Sequence, residues 1–326
     1  MEKRIHARAL IPCIRCIPWF HCIVPAKVGA SLNRALAGLV LMLSVGAGLP
    51  APAQAPPSSV FRPVLLESFA ASYDYSTKAD VNRAGVLGGV AVQHAELSLS
   101  GRRAFSPSLQ LAYGGSYDTN RIDADAAVPL PDELSALSLN LGLIHPLDAQ
   151  WTFALFARPG FYGDFAQLDG HSLNAPLLVT ASYGPRRELG WTFALSFNSF
   201  ARNPVLPVLG VRWQFAPEWN LAVGFPHTGV TWQSTPDLAL RADISFQGGS
   251  YRITRAPAAH PTLGNTLVDY REIRAGAGFD FKLTAAATLS LDAGWVASRR
   301  FDYHERDYRL DGDAAAYVKL ACSARF

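Results

Sequence analysis

The chain has 326 residues, 49% of them apolar and 17% charged, with 29 Lys and Arg against 26 Asp and Glu. Six of the basic residues (Lys3, Arg4, Arg8, Arg15, Lys27 and Arg34) but only one acidic residue, Glu2, fall within the first 53, leaving 23 basic against 25 acidic residues in the remainder. That balance excludes a nucleic-acid partner held by a basic surface, and the lack of a membrane-length apolar run beyond residue 53 excludes a helical membrane bundle.

From the N-terminus, Ala35–Leu49 is apolar but short of the ~20 residues a membrane helix needs. Ala51-Pro52-Ala53-Gln54-Ala55 follows it, so residues 1–53 read as a leader and signal peptide that is removed. Cleavage after Ala53 is favoured, since cleavage after Ala55 would leave Pro56 at the new terminus. The first thirty residues are long for a signal, which points to a start assigned too far upstream. Cys13, Cys16 and Cys22 leave with the leader and only Cys322 stays, so no internal disulfide can form and the Cys13-x-x-Cys16 pair carries no metal or redox role. Residues 54–63 form a short periplasmic segment, too small for a plug, and residues 64–326 form one domain.

Within that domain the apolar residues alternate. Leu137, Leu139, Leu141 and Leu143 interleave with Ser138, Asn140 and Gly142, and Leu189, Trp191, Phe193, Leu195 and Phe197 interleave with small or polar residues. Leu238 to Phe246 and Ile273 to Leu283 repeat the pattern, with Arg241, Asp243, Glu272, Arg274, Asp280 and Lys282 on the opposite face. This is the period of a strand with one apolar side. In the strand from Val90 to Ser100, Val90 and Val92 are out of phase with Leu97 and Leu99, which a β-bulge would reconcile.

Six tight connections recur: Ser106–Leu109, His145–Leu147, Gly184–Arg186, Ala216–Trp219, Thr235–Leu238 and Leu283–Thr288. Longer polar stretches, Tyr117–Glu133, Gln247–Thr266 and Arg299–Gly312, alternate with them. Six turns with both chain ends on one side give 14 strands, or 12 if the short Trp219–Ser234 hairpin fails to cross. Trp151, Trp191 and Trp219 follow the turns, and Phe161, Tyr162, Phe200 and Phe225 sit at the other end. From Trp191 to Phe200 is nine steps, about 21 to 24 Å on a strand tilted ~45°, close to the apolar band of an outer-membrane barrel with two aromatic girdles. The final strand carries Val318, Leu320, Cys322, Ala324 and Phe326 on one face and Tyr317, Lys319, Ser323 and Arg325 on the other.

Leader, alternating strands, Pro-and-Trp turns and terminal Phe326 together resemble bacterial outer-membrane β-barrel proteins over residues 60 to 326. The stretch Leu209-Gly210-Val211-Arg212-Trp213 followed by Pro217-Glu218-Trp219-Asn220-Leu221 resembles an uncharacterised, domain-of-unknown-function barrel family. The resemblance implies an all-β, single antiparallel up-and-down transmembrane barrel in the outer membrane. It also implies short turns on the periplasmic side, outer-membrane lipid and lipopolysaccharide as surroundings, and the barrel-assembly machinery as a partner that reads Val318, Leu320 and Phe326.

Charges facing lipid would cost about 2 to 4 kcal/mol each near the midplane. Gln110, Asn140, Arg241, Asp243, Glu272, Arg274, Asp280, Lys282, Asp292, Lys319 and Arg325 are therefore expected to line the lumen. They either pair and fill a narrow barrel or line a water-filled path. Enzyme motifs are missing: there is no G-x-S-x-G elbow and no H-E-x-x-H, and His171-Ser172 would point to opposite faces. Tyr303–Arg309 reads as a solvated loop, and Asp118, Asp123 and Asp125, or Asp311 and Asp313, could collect divalent cations. His94, His145, His227 and His260 read as isolated. No cofactor is expected. The readings in play are a passive small-solute channel with a mixed-charge lumen, a structural or surface-interaction barrel with a filled lumen, a barrel-embedded lipid hydrolase, and a secreted soluble β-sandwich.

Overall fold

The structure is a computed structural model and describes residues 66–167 and 169–326; the expectations for the leader and its cysteines lie outside these. Among the described residues fourteen antiparallel strands run up and down. They are β1 (Ser68–Asn82), β2 (Val86–Ser106), β3 (Leu109–Ala124), β4 (Glu133–Pro146), β5 (Trp151–Ala157 with Gly160–Gly163), β6 (Leu173–Asn174 with Leu177–Arg186) and β7 (Leu189–Phe197). The second half has β8 (Val205–Ala216), β9 (Trp219–Gly224), β10 (His227–Gln233), β11 (Leu238–Ile253), β12 (Thr266–Lys282), β13 (Ala287–Tyr303) and β14 (Tyr308–Gly312 with Ala315–Arg325). Pro159 and Pro176, which lack an N–H, interrupt β5 and β6 side by side. β14 pairs with both β13 and β1, from Ser68↔Arg325 to Ser76↔Tyr317, so the sheet closes on itself.

Closure settles which face is which. Leu139 (58% exposed), Phe193 (48%) and Trp295 (66%) point outward, whereas Arg274 and Glu272 are 1% exposed inside. A sandwich would reverse these placements. The six tight turns all lie at one end, with Leu66 and Phe326, the first and last described residues; the other end carries the longer connections and is called the loop end below.

Each of the three stretches read as long loops is partly strand. β3 continues to Ala124, β11 to Ile253, and β13 and β14 form a hairpin around Tyr303 and Tyr308, which are buried rather than solvated. By contrast β9 and β10 have only six and seven residues, a rise of roughly 15 Å at a tilt of ~45°. Strands of sixteen or seventeen, such as β11 to β13, stand more than twice as high.

At the loop end the tall strands close on each other without the short ones. β5 meets β11 directly, in parallel, at Gly163↔Arg252. Asp164 fixes the seam by accepting from the backbone N–H of Thr254 and Arg255 and from the Thr254 hydroxyl, all at 2.8–2.9 Å. The inward side chains there form an apolar cluster that includes Val81, Val90, Val92, Ile122, Leu134, Tyr270, Phe301 and Leu310. Outside it are Arg121, Asp123, Arg271, Arg300 and Asp311.

The phase slip in β2 has this cause. β2 keeps unbroken register with β3 from Val90 to Ala104, so Val90 and Val92 share the inward face with His94 and Ser98 and simply belong to the apolar cluster. The bulge lies instead in β1, between Ser76 and Ala79, and a second one lies in β13 opposite Ile273 and Arg274. Each switches which alternate residues face inward.

Candidate functional site

The lumen has three levels. Uppermost is the apolar cap, in which Tyr270 stacks on Phe301 at 4.9 Å and the Tyr303 hydroxyl donates to the Pro129 carbonyl.

Below the cap lies a buried ionic layer. Arg274 reaches both oxygens of Asp74, at 2.8 and 2.9 Å, and donates from Nε to Glu272 Oε2 at 2.7 Å. Arg299 donates to Glu272 Oε1 at 2.6 Å, to the Val90 carbonyl at 2.8 Å and to the Ser76 hydroxyl. His94 bridges Asp74 (3.2 Å) and Asp118 (2.6 Å) through its two ring nitrogens. Toward ionised carboxylates, which only accept, both ring nitrogens act as donors. Asp74, Asp118 and Glu272 thus face Arg274, Arg299 and His94, and Glu96, on the same face of β2 as His94, adds a fourth carboxylate close to Asp118, Arg158 and Lys319. The guanidinium of Arg274 also lies 5.0 Å from the Tyr317 ring centre.

The lowest level opens at the turn end as a chamber of about 500 Å³. Ser68, Ser98 and Ser100 line it from β1 and β2, and Phe156 and Leu178 line it from β5 and β6. Its charged lining is Glu67, Arg102, Arg158, Lys282 and Arg325. The C-terminal residue sits at the same rim, the Phe326 N–H donating to the Glu67 carbonyl at 3.0 Å.

The expected lumen residues distribute over these levels. Glu272 and Arg274 are in the ionic layer, and Asn140, Lys282 and Arg325 line the chamber. Arg241 pairs with Asp292 at 2.6 Å and Asp280 at 3.4 Å, and Asp243 pairs with His227 at 3.3 Å. Lys319 lies in register with Asp292 and Asp74. Gln110 lies across from Ile144 at the end of β3. His94, Asp74, Asp118, Arg299 and Arg158 were not anticipated; their signal was the shared phase of Asp74 with Ser72 and Ser76, and of His94 with Ser98. His94, read as isolated, has a carboxylate on each ring nitrogen.

Of the expected aromatic girdle, Trp151 stacks on Tyr183 at 4.7 Å, and Trp219 lies between Phe215 (6.1 Å) and Trp232 (5.7 Å). Trp191 pairs in register with Tyr183, Phe161 faces out opposite Leu137, and Phe225 packs on Phe246 at 5.2 Å. Tyr162 is a correction: neighbours on a strand face opposite ways, so with Phe161 outward it is buried and donates to the Arg158 carbonyl. Phe200 is another, because β7 ends at Phe197 and the loop turns Phe200 onto the cap. Val318 and Leu320 face outward, and Phe326 is exposed at the rim.

The candidate cation ligands do not converge. Asp118 joins His94, Asp125 pairs with Lys78 at 2.6 Å, Asp311 takes Arg300 and Arg309, and Asp313 takes Asn82. His171 is exposed beside Asp169 while Ser172 is buried, so the two point apart.

A family model described as a domain of unknown function, DUF6268, matches residues 106–310. No curated protein matches the chain. Among solved structures, the toluene transporter TodX of Pseudomonas putida is 10% identical with a TM-score of 0.48, covering 80% of this chain and 90% of TodX. An outer-membrane channel from Pseudomonas putida F1 is 11% identical with a TM-score of 0.44, covering 84% and 100%. LpxR from Salmonella typhimurium is 11% identical with a TM-score of 0.36, covering 79% and 100%.

Proposed function

The chain belongs to the DUF6268 family, and we propose that it is a small-solute channel of the bacterial outer membrane, held closed by its cap. In this reading the turn end faces the periplasm and the chamber is the part of the path that stays open. The ionic layer and the apolar cluster form the gate. Lipid covers the apolar band, lipopolysaccharide surrounds the charged collar outside the cap, and the assembly machinery reads the strand ending in Phe326.

The carrying observation is that a chamber of about 500 Å³, open at the turn end, ends against the ionic layer and the packed cap instead of continuing as a filled lumen from end to end. A barrel with a purely structural role has no need of the chamber, and an open porin would lack the cap. Planar-bilayer recording tests this. Wild type should show no steady current, and a folded Tyr270→Ala/Phe301→Ala barrel should conduct. A steady open-pore current from wild type would defeat the closed state. A folded, cap-thinned barrel that stays silent would defeat the channel and leave the filled, surface-interaction barrel.

A further inference from the structure

The chamber is asymmetric in a way that specifies a ligand. On the β4–β6 wall, Ile144, Phe156 and Leu178 face inward in adjacent cross-strand positions, as shown by the pairings Gly142↔Phe156 and Phe156↔Leu178. The Phe156 ring lies flat against the wall because residue 142 is glycine: a Cβ there would come within 2.6 Å of the ring. An aromatic face held open to a chamber is a platform for an apolar or planar group.

One step toward the ionic layer the chemistry changes. Arg158 lies two residues along from Phe156, hydrogen-bonded to Ser116 at 2.9 Å and thereby oriented into the lumen. Beside it in register, Asn140 has neither its side-chain nitrogen nor its oxygen hydrogen-bonded, although both atoms are buried. An amide left so costs about 1–3 kcal/mol, which a polar ligand group could recover. The charged lining of the chamber leans one way as well, Arg102, Arg158, Lys282 and Arg325 against Glu67, with Glu96 near Arg158 on the side of the ionic layer.

We propose that the chamber binds a small organic carboxylate with an apolar body, its ring or chain against Phe156 and Leu178 and its carboxylate between Arg158 and Asn140. This deepens the channel reading, since it names the solute class. It does not depend on the gate, because binding can be read in detergent without passage.

Titration calorimetry of the folded protein with benzoate, benzamide and acetate tests it. Benzoate should bind saturably. Benzamide keeps the ring without the charge and acetate keeps the charge without the ring, so each should bind at least tenfold more weakly. Phe156→Ala and Arg158→Gln should each weaken benzoate by tenfold or more, while Phe156→Tyr and Arg158→Lys retain most of it. Heat-shifted gel mobility establishes that each variant is a folded barrel. Equal binding of benzoate and benzamide, unchanged binding in the folded Phe156→Ala and Arg158→Gln barrels, or no saturable binding by wild type would each overturn the proposal, whatever the conductance of the protein.

Discussion

The two halves of this barrel are built from the same strands and obey opposite rules. Toward the turn end β12 carries Ile273, Ala275, Ala277, Phe279 and Phe281 outside, with Arg274, Asp280 and Lys282 inside. Further toward the loop end, Arg271 is exposed outside, Asp269 shares its face but is buried beneath Arg202 and Arg271, and Val268 and Tyr270 are inside. Below the crossing the strand is a membrane strand; above it the strand is that of a water-soluble protein with a packed core. The difference teaches that solvent, rather than fold, sets a strand's polarity. A sheet of sixteen or seventeen residues per strand outgrows the ~25 Å apolar band, and what projects beyond it must bury its apolar side chains inward.

The largest expected effect lies at the crossing itself. Arg274 holds Asp74 and Glu272 together with 1% of its surface exposed. Arg274→Ala would leave both carboxylates short of charge in a water-poor layer, a loss of about 4 kcal/mol on the usual scale for a broken buried pair. Arg241→Ala, at the 15%-exposed pair with Asp292, should lose less than half as much. Urea unfolding in lipid vesicles measures both. Equal losses would mean that the crossing is no more buried than the wall beneath it.

Next come the two faces. Leu134 is fully buried in the cap, so Leu134→Ala should destabilise by about 3 kcal/mol, as in a soluble core. Leu141 points outward in the middle of the lower band, where Leu141→Arg should cost about 2 kcal/mol or more by facing hydrocarbon. At the exposed β1–β2 hairpin tip, Val86→Arg should stay within about 0.5 kcal/mol of wild type. A penalty at Val86 matching that at Leu141 would place the tip in lipid and dissolve the contrast between the halves.

Much of the lower half was legible in the sequence because its alternation is uninterrupted: Leu137 to Leu143, Leu189 to Phe197 and the six turns locate strands, faces and count. The upper half was hidden by the inversion. Val90 and Val92 looked like a slipped strand, and Tyr117–Glu133, Gln247–Thr266 and Arg299–Gly312 looked like loops, because a polar outer face and irregular inward residues mimic loop composition. The ionic layer was half visible. Glu272 and Arg274 stand out on β12, but Asp74, His94 and Asp118 lie on three different strands and meet only through cross-strand register, which a single sequence does not display. Tyr162 and Phe200 were misplaced for the local reason that strand parity and the end of β7 decide their direction.

The smallest effect belongs to the collar and separates it from the buried layer by its response to acid. Asp125, in the loop after β3, is held by Lys78 Nζ at 2.6 Å and by the Gly89 N–H at 2.6 Å. The Lys78 hydrogen bond first, and then that of Gly89, keep its carboxyl below the ordinary aspartate range. A group with a depressed folded pKa contributes stability that is full above its unfolded value, about 3.9, and is lost as pH falls through the folded value. Protection of the 125–132 loop in hydrogen exchange should therefore be complete near pH 6 and decline below about pH 4. Asp125→Asn should start with weaker protection and lose its pH dependence over the same window, while the protection of β12 around Arg274 stays unchanged. Parallel loss at both places would show that loop and ionic layer open as one unit, and that the collar is no separate region at all.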